Sequence, residues 1–228
     1  MTDVTERPAS RRRTQTRARL LAAAHEVFAE VGMGAASVEM ICERAGFTRG
    51  AFYSNFESKE ELFLALITQM TESKLEEVAG RVRELGPGPT GAGVDPSTLV
   101  RQVVGASLGE HMEPQLLSEI RTQALRDPRL AAAYLTWQET MRERVEGIIA
   151  HVVESFGLRL RLPLDETAQL LLDAVEDTCT RATLQGRDQA GVTDVLNDRL
   201  ERLVTVLVVP TAEDCPRVRG GRGTARGG

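Results

Sequence analysis

Residues 37–63 read Ser-Val-Glu-Met-Ile-Cys-Glu-Arg-Ala-Gly-Phe-Thr-Arg-Gly-Ala-Phe-Tyr-Ser-Asn-Phe-Glu-Ser-Lys-Glu-Glu-Leu-Phe. Ser37 can cap a helix whose Val38, Ile41, Cys42 and Ala45 share one face, with Glu39 near its positive end. Gly46 then supplies the left-handed residue that a sharp turn needs. Thr48 can cap a short helix running through about Ser54. Ser58-Lys59-Glu60-Glu61 is a capping box, a serine followed three residues later by a glutamate. It opens a long helix to about Leu85 with Leu62, Phe63, Leu66, Met70 and Val78 on its apolar side.

Upstream, Leu20, Ala24, Val27, Phe28 and Val31 recur at helical spacing over residues 13–31, and Gly32 and Gly34 end that helix. Residues 1–13 are polar and arginine-rich and read as a disordered basic arm. Downstream, Gly86-Pro-Gly-Pro-Thr-Gly-Ala-Gly breaks the chain. That loop lacks the Gly-Lys-Ser/Thr ending of a phosphate-binding loop and follows a helix instead of a strand. Helices are expected over about 97–112, 114–126, 128–156, 164–185 and 190–209, with Pro114, Pro128 and Pro163 at or near their starts. Residues 211–228 read as a flexible basic tail. The chain is therefore expected to be all-α. An N-terminal three-helix helix-turn-helix domain spans 14–74, and a C-terminal helical bundle spans 75–210.

Composition narrows the function. The 228 residues carry a net charge of −5, unevenly distributed. Residues 7–25 hold six arginines and no acid, whereas residues 61–210 hold 15 Lys+Arg against 23 Asp+Glu, a net of −8. A basic end on an acidic body suits binding phosphate at one end only. Cys42, Cys179 and Cys215 are far apart and odd in number, which supports neither a disulfide framework nor a zinc site. His25, His111 and His151 are scattered, and no nucleophile elbow or carboxylate–histidine pair points to an enzyme. No cofactor is expected. With no apolar run near the ~20 residues of a membrane span and no signal peptide, the cytoplasm is the expected compartment.

A helix-turn-helix holds two helices at a fixed angle so that the second lies in the DNA major groove. Phe47, Phe52 and Phe56 can pack inward and leave Thr48, Arg49, Tyr53 and Asn55 for DNA. Arg49 can pair with guanine or touch phosphate, and Asn55 can pair with adenine. Tyr53 and Lys59 suit phosphate, and Gly50 leaves room for close approach. Ser37 and Ser54 complete the candidate DNA-facing set.

Two motifs carry a resemblance. Arg17-x-x-Leu20-x-x-Ala23-Ala24-x-x-x-Phe28-x-x-x-Gly32 is followed by Thr48-Arg49-Gly50-Ala51-Phe52-Tyr53-x-x-Phe56-x-Ser58-Lys59-Glu60-Glu61-Leu62. Together they closely resemble the TetR family of transcriptional regulators over about residues 14–74. The resemblance implies an all-helical homodimer that binds a double-stranded operator and is most often a repressor answering to a small molecule. It places Thr48, Arg49, Gly50 and Tyr53 on the recognition helix and matches Lys59 to a phosphate-contacting lysine. Where many members have Tyr-Tyr-His-Phe, this chain has Tyr53-Ser54-Asn55-Phe56, and Asn55 can replace the histidine as a donor.

In the C-terminal part, Leu170, Leu171, Ala174, Val175, Thr178 and Ala182 form one apolar stripe, and Val195, Leu196, Leu203, Val204 and Leu207 another. Two such helices from each of two chains can make a four-helix interface. An effector pocket is expected among the helices of 97–185. Its candidate lining residues are Leu108, His111, Met112, Leu117 and Arg121, with Tyr134, Trp137, Met141 and Cys179 further on. A TetR-like activator, a regulator without a small-molecule ligand, and a helical-bundle enzyme are the competing readings.

Overall fold

The computed structural model describes residues 8–85 and 114–209. The expected helix at 97–112, the glycine-rich loop, Leu108, His111, Met112, Cys215 and the C-terminal tail lie outside the described residues.

Helix α1 (Pro8–Ala35) contains a break at Gly32, whose φ of 75° only glycine adopts without strain. The helix begins before the expected position, so residues 8–13, expected to be part of a disordered arm, are helical, and Arg11, Arg12 and Arg13 are exposed on it. Helix α2 (Val38–Ala45) starts where Ser37 Oγ accepts from the Met40 N–H at 3.2 Å. It ends at Gly46, left-handed at φ 70°. Helix α3 (Arg49–Tyr53) is capped by Thr48, which accepts from the Ala51 N–H at 3.3 Å.

Helix α4 (Lys59–Leu85) opens with Ser58 Oγ accepting from the Glu61 N–H at 3.1 Å. The return bond of the box runs from the Glu57 N–H to the Glu61 carboxylate, one residue upstream of the serine. Then come α5 (Pro114–Ala124), α6 (Pro128–Phe156), α7 (Leu164–Leu184) and α8 (Gln189–Leu207). Asp127 caps α6 and Asp188 caps α8. One pairing was not expected: Arg159–Leu160 (β1) lies antiparallel to Val208–Val209 (β2), tying the end of α6 to the end of α8.

The helices pack around a continuous apolar core. Leu20, Phe28, Ile41, Phe52, Phe56 and Phe63 fill the space between α1 and α4, and the Phe28 and Phe63 rings stand 5.0 Å apart. The same cluster continues without interruption into Leu116, Ile120, Leu130 and Tyr134 of α5 and α6. Each such fully buried side chain contributes roughly 1.5–3 kcal/mol by leaving water. The helix-turn-helix (here the reader) and the bundle thus share one core at their junction. Separate clusters join α7 to α8 around Cys179 and Leu196, and α4 to α6 around Val78 and Val82.

Candidate nucleic-acid interface and effector cavity

The exposed face of α3 carries Arg49 and Tyr53, with Tyr53 half exposed. Arg49 Nη1 lies 2.7 Å from Glu39 Oε1 of α2, and its guanidinium sits 5.8 Å from the Tyr53 ring centroid. A hydrogen bond with the Tyr53 side chain, and after it the Glu39 charge, hold the guanidinium pKa above its ordinary value. Gly50 faces open space, since a Cβ placed there would meet only Thr48 Oγ1 at 3.7 Å. Thr48 and Ser37 both spend their hydroxyls on helix caps and remain at the same surface.

Two α1 arginines belong to the frame of the reader. Arg17 Nη1 donates to the Asn55 carbonyl at 2.9 Å and stacks over Phe56 at 4.1 Å. Arg19 Nη2 donates to the Ala45 carbonyl at 2.8 Å over the Phe47 ring. Each satisfies a carbonyl at a helix end, where the negative end of the peptide dipoles favours a cation. On the far side of α2, Arg44 bridges to Glu26 at 3.0 Å and Glu30 at 2.8 Å, and its hydrogen bond keeps the Glu30 carboxyl below its ordinary range.

Two of the residues expected at DNA, Asn55 and Lys59, have partners within the protein. Asn55 is buried at 9% exposure, and its Nδ2 donates to the Ala51 carbonyl at 2.8 Å. The side chain thereby closes the C-terminus of α3. Ser54 Oγ donates to the same carbonyl at 2.9 Å from an exposed position. Lys59 does not project freely toward phosphate, because its ammonium donates to the Met33 and Ala36 carbonyls, both at 2.8 Å. Those carbonyls belong to the broken end of α1, where an uncompensated dipole end attracts the cation. At the same break the Met33 N–H donates to the Glu119 carboxylate of α5. Glu119 was not foreseen. Nothing in its spacing marks it, because the contact joins residues 86 apart in sequence.

A cavity of about 340 Å³ lies between α4, α6, α7 and α8. Leu117, Tyr134, Trp137 and Met141 are among its lining residues, with the Tyr134 and Trp137 rings stacked at 5.5 Å. Cys179 is corrected: it is fully buried in the α7–α8 packing, away from the cavity, where burial pushes its thiol pKa to about 11. Arg121 does not line the cavity either but pairs with Glu176, which does. The expected limits of 97–185 were too narrow. Ile67, Met70 and Val78 of α4 form one wall, and Leu200, Val204 and Leu207 of α8 another. The apolar periodicity of α4 beyond the reader was the available signal. Thr71, Lys74 and Gln138 are among the few polar groups on an otherwise aliphatic and aromatic lining. Among the described residues no cluster of metal-ligating side chains occurs, and no helix is long and apolar enough to cross a membrane.

The sequence model of the family described as "Bacterial regulatory proteins, tetR family" matches residues 20–66. The regulator UidR of Escherichia coli is 30% identical over 158 residues, covering 69% of this chain and 76% of UidR. The transcriptional repressor AcnR of Corynebacterium efficiens is 29% identical over 80% of this chain and 89% of its own length. A TetR-family regulator structure from Mesorhizobium loti superposes with a TM-score of 0.65 at 20% identity, covering 87% of this chain and 99% of the other. A capped helix-turn-helix on a mainly helical bundle, together with these relatives, defines a DNA-binding transcriptional regulator. The chain belongs to the TetR family.

Proposed function

We propose that this regulator is a repressor: as a homodimer it occupies a near-palindromic operator, and it leaves when a small, mostly apolar molecule fills the cavity. One observation carries this reading. Helix α4 packs Leu62 and Phe63 into the reader core and, about one to four turns further on, lends Ile67, Met70 and Val78 to the cavity wall. Anything that changes the cavity therefore acts on the mount of the reader.

The cavity lies at the small end of the ~300–1,000 Å³ typical of ligand sites. Its lining calls for an aliphatic or aromatic body with one or two polar groups that Thr71, Lys74 or Gln138 can meet. Exposed Leu170 and Leu184 on α7 and Val206 on α8 support a partner chain against that side of the bundle. A twofold dimer then needs half-sites about one helical turn, ~34 Å, apart. Both reader helices must seat together, so a state with altered separation loses affinity for DNA. Base contact is assigned to Arg49, phosphate contact to Tyr53, and close approach to Gly50, while Lys59 acts by holding the end of α1. The name of AcnR as a repressor, over most of both chains, supports repression.

The test is fluorescence anisotropy on a labelled duplex from the region upstream of the regulator's own gene, with and without a library of apolar compounds. A compound that stabilises the protein thermally and lowers DNA affinity supports the reading. A compound that raises affinity favours an activator or co-repressed regulator, and a monomer by light scattering overturns the two-half-site geometry.

A further inference from the structure

Helices α2 and α3 meet at an ion pair that the fold does not need. Their angle is already set by left-handed Gly46 and by the Phe47 N–H donating to the Cys42 carbonyl at 2.9 Å. Phe52 and Phe56 lock the pair from below. Yet Glu39 Oε1 lies 2.7 Å from Arg49 Nη1, with the two side chains 56% and 61% exposed. An exposed pair of this kind adds little to stability. A carboxylate beside the reader also repels the phosphates the reader must approach. Its presence is explained by what it does to Arg49.

Arginine has five N–H donors in a planar fork and many rotamers. Glu39 meets one end of that fork at Nη1, and Tyr53 hydrogen-bonds the guanidinium, its ring centroid 5.8 Å from the guanidinium carbon. Held between a carboxylate and an aromatic face, the guanidinium keeps its remaining N–H groups together for the O6 and N7 of guanine. Without the carboxylate, the same side chain is free to swing to the nearest phosphate, which gives affinity without discrimination.

We propose that Glu39 is a specificity-determining positioning residue: it holds Arg49 so that Arg49 reads a base edge instead of the phosphate backbone. The proposal rests on α3 being the DNA reader.

The experiment begins by selecting a preferred duplex from a randomised library with the parent protein. Affinities for that duplex, its single-base variants and unrelated DNA are then measured at several salt concentrations for the parent, Glu39→Ala, Glu39→Gln, Arg49→Ala and the double variant Glu39→Ala/Arg49→Ala. Circular dichroism and thermal unfolding check that each is folded.

Glu39→Ala is expected to reduce discrimination at the position Arg49 reads by about tenfold, the scale of one bidentate base contact. It should raise affinity for unrelated DNA and steepen the salt slope by up to about one, as Arg49 moves to phosphate. Glu39→Gln, which keeps an acceptor oxygen, should fall between parent and alanine. The double variant should discriminate no worse than Arg49→Ala alone. Unchanged base preference in Glu39→Ala, while Arg49→Ala loses it, overturns the proposal. So does a change in preference that persists in the Arg49→Ala background, because Glu39 would then read the base itself. Undiminished preference in Arg49→Ala instead removes α3 as the reader, and this proposal with it.

Discussion

The Glu119 carboxylate accepts a hydrogen bond from the backbone N–H of Met33, joining the bundle to the broken end of α1. The Met33 carbonyl on the other side of the same residue accepts from Lys59 at 2.8 Å. One backbone unit is thus gripped by α4 and α5 at once, beside the core the reader and bundle share. Glu119→Ala should lower unfolding free energy by about 1–3 kcal/mol, the cost of orphaning a partly buried donor. It should also accelerate hydrogen exchange over residues 32–36. Unaltered protection of that segment would sink the idea that Glu119 holds it.

Gly32 sits under the same carboxylate. A Cβ there would come within 2.9 Å of Glu119 Oε1, and its φ of 75° strains any other residue. Gly32→Ala should destabilise by roughly 1–3 kcal/mol, and Gly32→Ala combined with Glu119→Ala should cost less than the sum of the two. Additive losses in thermal unfolding would refute the contact.

Lys59→Met keeps the stem and deletes the ammonium. Two charge-assisted bonds to the Met33 and Ala36 carbonyls disappear. A loss of about 2 kcal/mol or more is expected, with weaker DNA binding as a consequence of a loosened α1. If Lys59 served phosphate alone, the variant would be as stable as the parent and its salt slope would fall by about one.

Gly50→Ala separates folding from DNA approach. The site is open, so alanine should stabilise the free protein by about 0.5–1 kcal/mol through helix propensity. A methyl pressed against the groove wall costs about 1–2 kcal/mol, so DNA affinity should drop roughly tenfold. Unreduced affinity would mean that α3 does not approach the backbone at Gly50.

Trp137 is the only tryptophan of the chain and lines the cavity. An apolar fluorescent dye should quench or shift its emission, saturating at one dye per chain, and Trp137→Phe should abolish the signal. Cys179 offers a pH test away from the cavity. Its thiol pKa is raised from 9.0 to about 11, so the folded state holds the proton more tightly. The stability this gives is present below pH 9 and fades as pH rises toward 11. Cys179→Ala should flatten the decline over that interval.

Local signals made much of this fold legible. Ser37, Thr48 and Ser58 cap the helices they were expected to cap, because a cap is a contact across three residues. The apolar faces of α4, α7 and α8 followed from helical periodicity. The partners of Asn55 and Lys59 within the protein were not legible, because a polar side chain has the same spacing whether it faces outward or closes a helix end. Only the position of the Ala51, Met33 and Ala36 carbonyls decides between the two. Cys179 misled for a related reason, since a helix position carries no mark of which neighbour covers it.

The sequence by itself determined the helices, the turn at Gly46, the reader face bearing Arg49 and Tyr53, and the family, because each depends on residues within a few positions of one another. Tertiary structure alone decided that Asn55 and Lys59 close helix ends, that α4 walls the cavity, and that Glu119 and Lys59 meet at Met33. Those outcomes depend on where distant helices cross, and crossing points arise from the packing of whole faces, which no local pattern records.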